Sequence, residues 1–515
     1  MNNLLVLYGG SLSGEAFEPL YDGKNSVSLA VKQAQEFPGI KKTVFLATQG
    51  DFSFLADVQI EQRETWTKRS VLERISELQT DFDCIYFAYA DCPFLDPELA
   101  GKIAERHLCY SAEYSYADGW PYGLAPEVLS PGTAGILAKI LIDDEPVERD
   151  TLFYVIQKDI NAFDIETEIS SVDLRCHRIN FCADSKRNLL LLNNFIAANG
   201  KLPCAADVER IIEKQPEILR TLPNFYPIQV YGGCPQKCAI CPYPTVTDAQ
   251  GRKNFMDVGR FTGLLDKIAA FSGDAVIDLS LWGELSLHPQ KMELIEAVVS
   301  RNCLALVIET TGLGWAAAEI ERSLELSKSY EKRKNPLPPL SWIVSLDTAD
   351  PQRYKELHGS GFAEASDCAK KLLSLFPKDC YVQAVRLKGF EDDTEKFYRY
   401  WKEAAPSEKN IIIQKYDDFC GALEKQQASD ISPVIRQPCW HIMRDMPVLI
   451  DGSVPLCRED LTALKDGKKN GMLGNVFTDS LESVWQNGMP HYIEHCKKNY
   501  PKQCSECDEY YTYNF

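Results

Sequence analysis

From residue 226 onward, short β-branched or aromatic runs alternate with segments whose apolar residues recur at helical spacing. Six runs read as strands: residues 226–233, 275–284, 304–312, 341–348, 380–388 and 410–419. Helices are expected between them, for example over 257–271, 289–301 and 392–403. Repeated strand-helix units imply parallel pairing with right-handed crossovers, and ligands of such folds sit at the carboxyl ends of the strands. Residues 1–195 show a separate alternation, with strands expected at 3–9, 42–48 and 84–91, the pattern of a doubly wound α/β domain. Residues 196–225 read as a helical connector, ended by two prolines in Leu222-Pro-Asn-Phe-Tyr-Pro227. The basic run 328–334 and the proline-rich 335–339 read as a solvated loop.

Length and composition narrow the class. A chain of 515 residues is too long for one ordinary core. With 45% hydrophobic and 25% charged residues and no apolar stretch able to span a bilayer, it reads as a globular protein without membrane partners. The start, Met-Asn-Asn-Leu-Leu-Val-Leu-Tyr-Gly-Gly, lacks the features of a secretory signal, so a cytoplasmic location is expected. A formal charge of −19 argues against nonspecific binding to nucleic acid or to anionic membranes. Eighteen cysteines without an export signal point to metal ligation or redox chemistry in a reducing, preferably anaerobic, compartment.

Three of those cysteines define the candidate chemistry: Cys234, Cys238 and Cys241, in Tyr231-Gly-Gly-Cys-Pro-Gln-Lys-Cys-Ala-Ile-Cys-Pro-Tyr-Pro244. With 18 cysteines in 515 residues this spacing arises by chance about 0.02 times, so accident is a poor explanation. Three thiolates within one loop suffice to hold three corners of a cubane iron-sulfur cluster and leave the fourth iron open to a reactant. A zinc loop short of one ligand, or three buried thiols, are the alternatives.

The triplet and the six strand-helix units resemble those of radical S-adenosylmethionine (SAM) enzymes, whose domain would cover residues 226–420 as a partial barrel. The resemblance implies a 4Fe-4S cluster whose open iron chelates SAM, reductive cleavage to a 5′-deoxyadenosyl radical, hydrogen abstraction from a substrate, and a reduced flavodoxin or ferredoxin-like electron donor. Ser280-Leu-Trp-Gly283-Glu284-Leu resembles the segment that holds the SAM ammonium group, with Trp282 and Leu285 replacing the family's first glycine and its proline. Thr311 and Gly312, at the end of the third strand, offer close backbone approach to SAM, and Ser345 with Asp347 resembles the polar pair near its ribose and carboxylate. Ile240 stands where an aromatic residue is usual, beside adenine, and Tyr243 is a candidate cover. Gln383 and Arg386 cannot share one face of the fifth strand; Arg386 is expected at a carboxylate or in an interior salt bridge.

A second cysteine group follows in residues 421–515: Cys439, Gly452-x4-Cys457, Leu473-Gly-Asn475, Trp485 and Cys504-x2-Cys507. Four thiolates suit a closed cluster or a tetrahedral zinc. The order resembles a compact SPASM domain, an auxiliary-cluster module of radical SAM enzymes that often modify peptides, and this implies an auxiliary 4Fe-4S cluster; Cys496 reads as a bystander or an exchange ligand.

At the other end, Leu4-Val-Leu-Tyr-Gly9-Gly10-Ser-Leu-Ser-Gly14 and Tyr89-Ala-Asp91-Cys-Pro93 resemble the nucleotide-sugar cytidylyltransferase signature, which would make Asp91 a magnesium ligand. The basic residue of the glycine loop is missing, and Glu18 stands where a lysine is usual. A degenerate domain that binds a partner or substrate is therefore expected. The whole order resembles the spirochaete spiro-SPASM proteins. Three readings stay open: a radical enzyme acting on a peptide or protein side chain, one acting on a nucleotide-linked sugar or lipid headgroup, and a cluster-containing binding or redox-sensing protein.

Overall fold

A computed structural model of the chain describes residues 2–142, 144–246, 254–330, 333–459, 461 and 471–512, with backbone alone at 245–246. Residues 331–332 of the basic run lie outside these. The chain divides into two compact units, Met1–Thr221 and Leu222–Phe515.

The first unit holds β1 (Asn3–Gly9), a small hairpin of β2 (Pro19–Tyr21) and β3 (Lys24–Asn25), then β4 (Ile40–Ala47), β5 (Gln59–Gln62), β6 (Cys84–Tyr89), β7 (Tyr114–Asp118), β8 (Glu127–Leu129) and β9 (Ile165–Ile169). Seven strands form one sheet in the order β5-β4-β1-β6-β8-β7-β9. Its pairings are parallel except those of β8, which runs against β6 and β7. All of β1 is buried, as a central parallel strand covered on both faces must be. The stretch expected as a connector is cut by the unit boundary. Asp96 caps helix Pro97–Cys109 through Oδ1, and its Oδ2 accepts the Ala205 amide at 2.6 Å, fixing helix Ala205–Lys214 within the first unit.

In the second unit, β10 (Phe225–Pro227), β11 (Ala275–Asp278), β12 (Leu304–Thr310), β13 (Leu340–Ser345), β14 (Cys380–Arg386) and β15 (Ile411–Lys415) pair in sequence order, every pair parallel, in a curled α/β sheet. Alternation sorts their side chains. Ile277, Leu306, Ile308, Trp342 and Val344 enter the main core, whereas Val276, Ala305, Val307 and Ile343 form a small cluster on the other face.

The core runs on past residue 420. Met446, Val448, Val454, Val476, Leu481, Val484 and Trp485 join the cluster that buries helix Val258–Ser272 and the sheet. Residues 445–448 lie beside β10, with parallel bridges Phe225–Asp445 and Ile228–Val448 and the Val448 amide donating to the Pro227 carbonyl at 2.8 Å. A short ladder of β16 (Ser453–Val454) and β17 (Gly474–Asn475) follows. Among the described residues no helix is long and apolar enough to cross a membrane.

Candidate iron-sulfur sites

The carboxyl ends of β11 to β15 open onto a cavity of about 290 Å³ that Cys234, Cys238 and Cys241 line together with Ile240, Gly283, Glu284, Thr311, Ser345 and Asp347. Every expected residue of this site reaches the cavity except Gly312. With φ at +76° and its would-be Cβ 3.1 Å from Ala365 backbone, Gly312 serves the turn and its packing instead. Arg386 is exposed, which does not suit an interior salt bridge.

The cysteine loop is moored to the segment after β13. The Ala239 amide donates to the Leu357 carbonyl at 2.7 Å, and Gln236, itself buried, donates to Tyr354 Oη at 2.7 Å. His358, on the far side of Cys238, was not signalled by the sequence. Its Nδ1 lies 3.0 Å from Cys238 Sγ and its Nε2 2.9 Å from Asp347 Oδ2. Burial pushes the Cys234 thiol up to about 12 and Cys241 to about 11, and raises Cys238 as well. Such thiols keep their protons until a cation arrives; a bound metal reverses that preference and expels them.

Glu284 is the best-held acid in the cavity. Its carboxylate accepts from Thr310 Oγ1 at 2.7 Å, the Thr311 amide at 2.9 Å and the Ser286 amide at 3.2 Å. Burial still raises its pKa, so a cation beside it would be welcome. Gly283 is fixed by contact: a Cβ there would lie 1.8 Å from the Tyr231 carbonyl oxygen. Trp282, in place of the family's glycine, has φ at +48°, the backbone shape glycine adopts freely. Its carbonyl accepts from Gln229 Nε2 at 2.8 Å, and its ring stacks on the buried Tyr243 at 5.9 Å. Further round, Glu309 accepts from Ser345 Oγ at 2.7 Å and from Gln383 Nε2 at 2.8 Å, while Asp347 Oδ1 accepts the Val385 amide at 2.7 Å. Burial lifts nearby Asp278 to about 6.

Cys439, Cys457, Cys504 and Cys507 line a second, small cavity of about 30 Å³, joined there by Cys420. Cys496 is not among its walls. Glu459 lines both cavities, its Oε1 accepting from Arg458 Nε at 2.8 Å.

In the first unit the buried Asp91 gives both carboxylate oxygens to Arg149, Nη1 reaching Oδ1 at 2.8 Å and Nη2 reaching Oδ2. A guanidinium thus pairs with the carboxylate that was expected to hold magnesium. Gly9 of the glycine loop is crowded by Phe45, whose ring lies 2.5 Å from a would-be Cβ, and Glu18 is exposed.

The donor sets fit iron-sulfur clusters: two groups of thiols, each gathered on one cavity. Residues 439–508 match the SPASM family, an iron-sulfur cluster-binding domain, and this defines the class as an α/β protein carrying a SPASM module. The chain belongs to the same family as an uncharacterized protein of Treponema pallidum (strain Nichols), with 32% identity over 371 residues, 71% of this chain and 98% of the relative. Among solved structures it is similar to Streptococcus suis SuiB bound to precursor peptide SuiA, at 13% identity, 59% of this chain, 75% of that one and a TM-score of 0.40. It is also similar to a cytidylyltransferase from Leptospira borgpetersenii serovar Hardjo-bovis (strain JB197), at 16% identity, 42% of this chain, 95% of that one and a TM-score of 0.36.

Proposed function

We propose that the protein is a radical SAM enzyme with an auxiliary cluster in its SPASM module, and that it acts on a peptide or protein side chain. The observation that carries the reading is the gathering of Cys234, Cys238 and Cys241 with Glu284, Ser345 and Asp347 on one cavity at the carboxyl ends of a parallel sheet. A 4Fe-4S cluster held by the three thiolates would supply the electron that splits SAM into methionine and a 5′-deoxyadenosyl radical. The chain's own part is binding and orientation. Glu284 accepts the SAM ammonium group, whose charge offsets the cost of the buried carboxylate. The tight fit of Gly283 under the Tyr231 carbonyl keeps that backbone in place. Ser345 and Asp347 would lie near the ribose and carboxylate, and Ile240 would cover adenine without ring stacking. Cys439, Cys457, Cys504 and Cys507 would hold the auxiliary cluster, and a flavodoxin or ferredoxin-like protein would reduce the first. Preference for a peptide substrate rests on the resemblance of residues 421–515 to modules attached to peptide-modifying enzymes. In the first unit, we read the Arg149 contact on Asp91 as the mark of a nucleotidyltransferase-like domain that no longer binds a metal triphosphate.

Anaerobic reconstitution with iron and sulfide, followed by dithionite and SAM, tests this reading. Formation of 5′-deoxyadenosine is expected, and Cys238→Ala should abolish it while iron remains at the C-terminal cysteines. A reconstituted, reduced protein that leaves SAM intact would sink the proposal.

A further inference from the structure

The second cavity holds one thiol more than a cubane cluster uses. Cys420 belongs to none of the cysteines expected at this centre and lies outside residues 439–508, yet it lines the same cavity as Cys439, Cys457, Cys504 and Cys507. It does more than stand nearby: the Cys420 and Cys507 side chains interact directly. Its backbone is committed to the position. Phe419, Cys420 and Gly421 have φ of +52°, +55° and +81°, and two consecutive non-glycine residues in the left-handed region are costly, about 1–3 kcal/mol each. The cavity also shows open polar groups. Among the described residues neither ring nitrogen of His495 meets a hydrogen-bond partner, although His495 is 1% exposed. Buried polar atoms without partners are rare and call for a physical reason.

We propose that Cys420 is a fifth ligand of the C-terminal centre, able to replace Cys507 on the same iron. The exchange is balanced without a redox partner. An iron bond to Cys507 would break as one to Cys420 formed, and the Cys420 proton would pass to Cys507, so the charge and the electron count of the centre would be unchanged. Asp417 and Phe419 of the same loop line the first cavity, so an occupant there touches the segment that carries the alternative ligand. The iron between Cys420 and Cys507 would be the replaceable corner of an otherwise closed cluster.

The inference rests on the cluster reading of residues 439–508, and the test separates the two. In a full-length background carrying Cys234→Ala, Cys238→Ala and Cys241→Ala, all cubane iron belongs to the C-terminal centre, about four atoms per chain. Adding Cys507→Ala or Cys420→Ala singly should leave that iron and its absorption in place, and adding both should remove them. Iron lost as fully with Cys507→Ala alone as with both changes overturns the proposal; no iron in the background variant overturns the cluster reading with it. The unaltered holoprotein offers a measurement free of folding effects. Under brief iodoacetamide treatment, peptide mapping should find label on Cys420 in some chains and on Cys507 in others, never on both in one chain; label on Cys420 alone, or on neither, overturns exchange.

Discussion

His358 joins Cys238 to Asp347: Nδ1 lies 3.0 Å from the sulfur and Nε2 lies 2.9 Å from the carboxylate, with the ring 4% exposed. Once Cys238 is a thiolate, Nδ1–H donates to it and draws charge off the sulfur. His358→Leu should lower the reduction potential of a cluster held by the triplet by about 60 mV, a one-electron equivalent of about 1.4 kcal/mol for one charge-assisted hydrogen bond. A redox titration followed by electron paramagnetic resonance reads this directly, and an unchanged potential counts against the contact.

Gly283→Ala should be disruptive out of proportion to its size. The added methyl would lie 1.8 Å from the Tyr231 carbonyl oxygen, and backbone on both sides has nowhere to retreat. Overpacking of this kind costs about 1–3 kcal/mol or more. Chemical denaturation and SAM titration of the variant should show both lower stability and weaker binding; wild-type behaviour in either would show the loop to be softer than its geometry.

Glu284→Gln keeps the shape and removes the charge. One acceptor oxygen becomes an amide donor facing Thr310 Oγ1, Thr311 N or Ser286 N, and the attraction for an ammonium group is lost. SAM affinity should fall roughly tenfold or more, about 1.4 kcal/mol or above, by calorimetry of the reconstituted protein. Equal affinity would move the ammonium site elsewhere.

Acid should weaken the first unit through His107. This side chain is 1% exposed between Ser115 Oγ at 2.8 Å and Ser130 Oγ at 3.1 Å, and burial lowers its pKa from 6.5 to about 4. The unfolded chain takes up a proton that the folded chain refuses, so this contribution is complete above about pH 6.5 and is lost as pH falls toward 4, by about 3 kcal/mol. Glu127 works in the opposite direction. Desolvation beside Tyr114 lifts it from 4.5 to about 8, so its contribution is present below 4.5 and disappears as pH rises through 8. Urea unfolding of the full chain should become less pH-dependent below 6.5 in His107→Gln and above 5 in Glu127→Gln; unaltered profiles would refute both assignments.

The sequence was most legible where periodicity and spacing act locally. The strand at 3–9 matches β1 residue for residue, and the expected helix at 257–271 differs from Val258–Ser272 by one position at each end. Expected strands in the second unit ran too long at their carboxyl ends, 275–284 against Ala275–Asp278, because apolar residues continue into the loop that builds the site. Gly283, Glu284, Ser345 and Asp347 were singled out by resemblance to radical SAM segments, and the structure brings all four to one cavity. His358 was not: it meets Cys238 across 120 residues, and no pattern in a single sequence pairs a histidine with a distant cysteine. Cys420 was hidden similarly, its position set by three consecutive left-handed residues that carry no periodic signal. Asp91 was recognised by its surroundings, but its Arg149 partner, 58 residues away, was invisible until the chain folded.

The strip of backbone at 445–448 lies along the edge of β10. The cysteine triplet starts four residues after Val230, on a segment whose flank is this strip, and the strip itself lies between Cys439 and Cys457. A polypeptide stopped at residue 420 would bare an unpaired sheet margin next to the triplet and uncover the side chains that Val448 and Trp485 now shield, an invitation to aggregate. The two sets of thiols thus hang on one body of packing: loosening residues 445–448 would unsettle the flank of the triplet and the segment between Cys439 and Cys457 together.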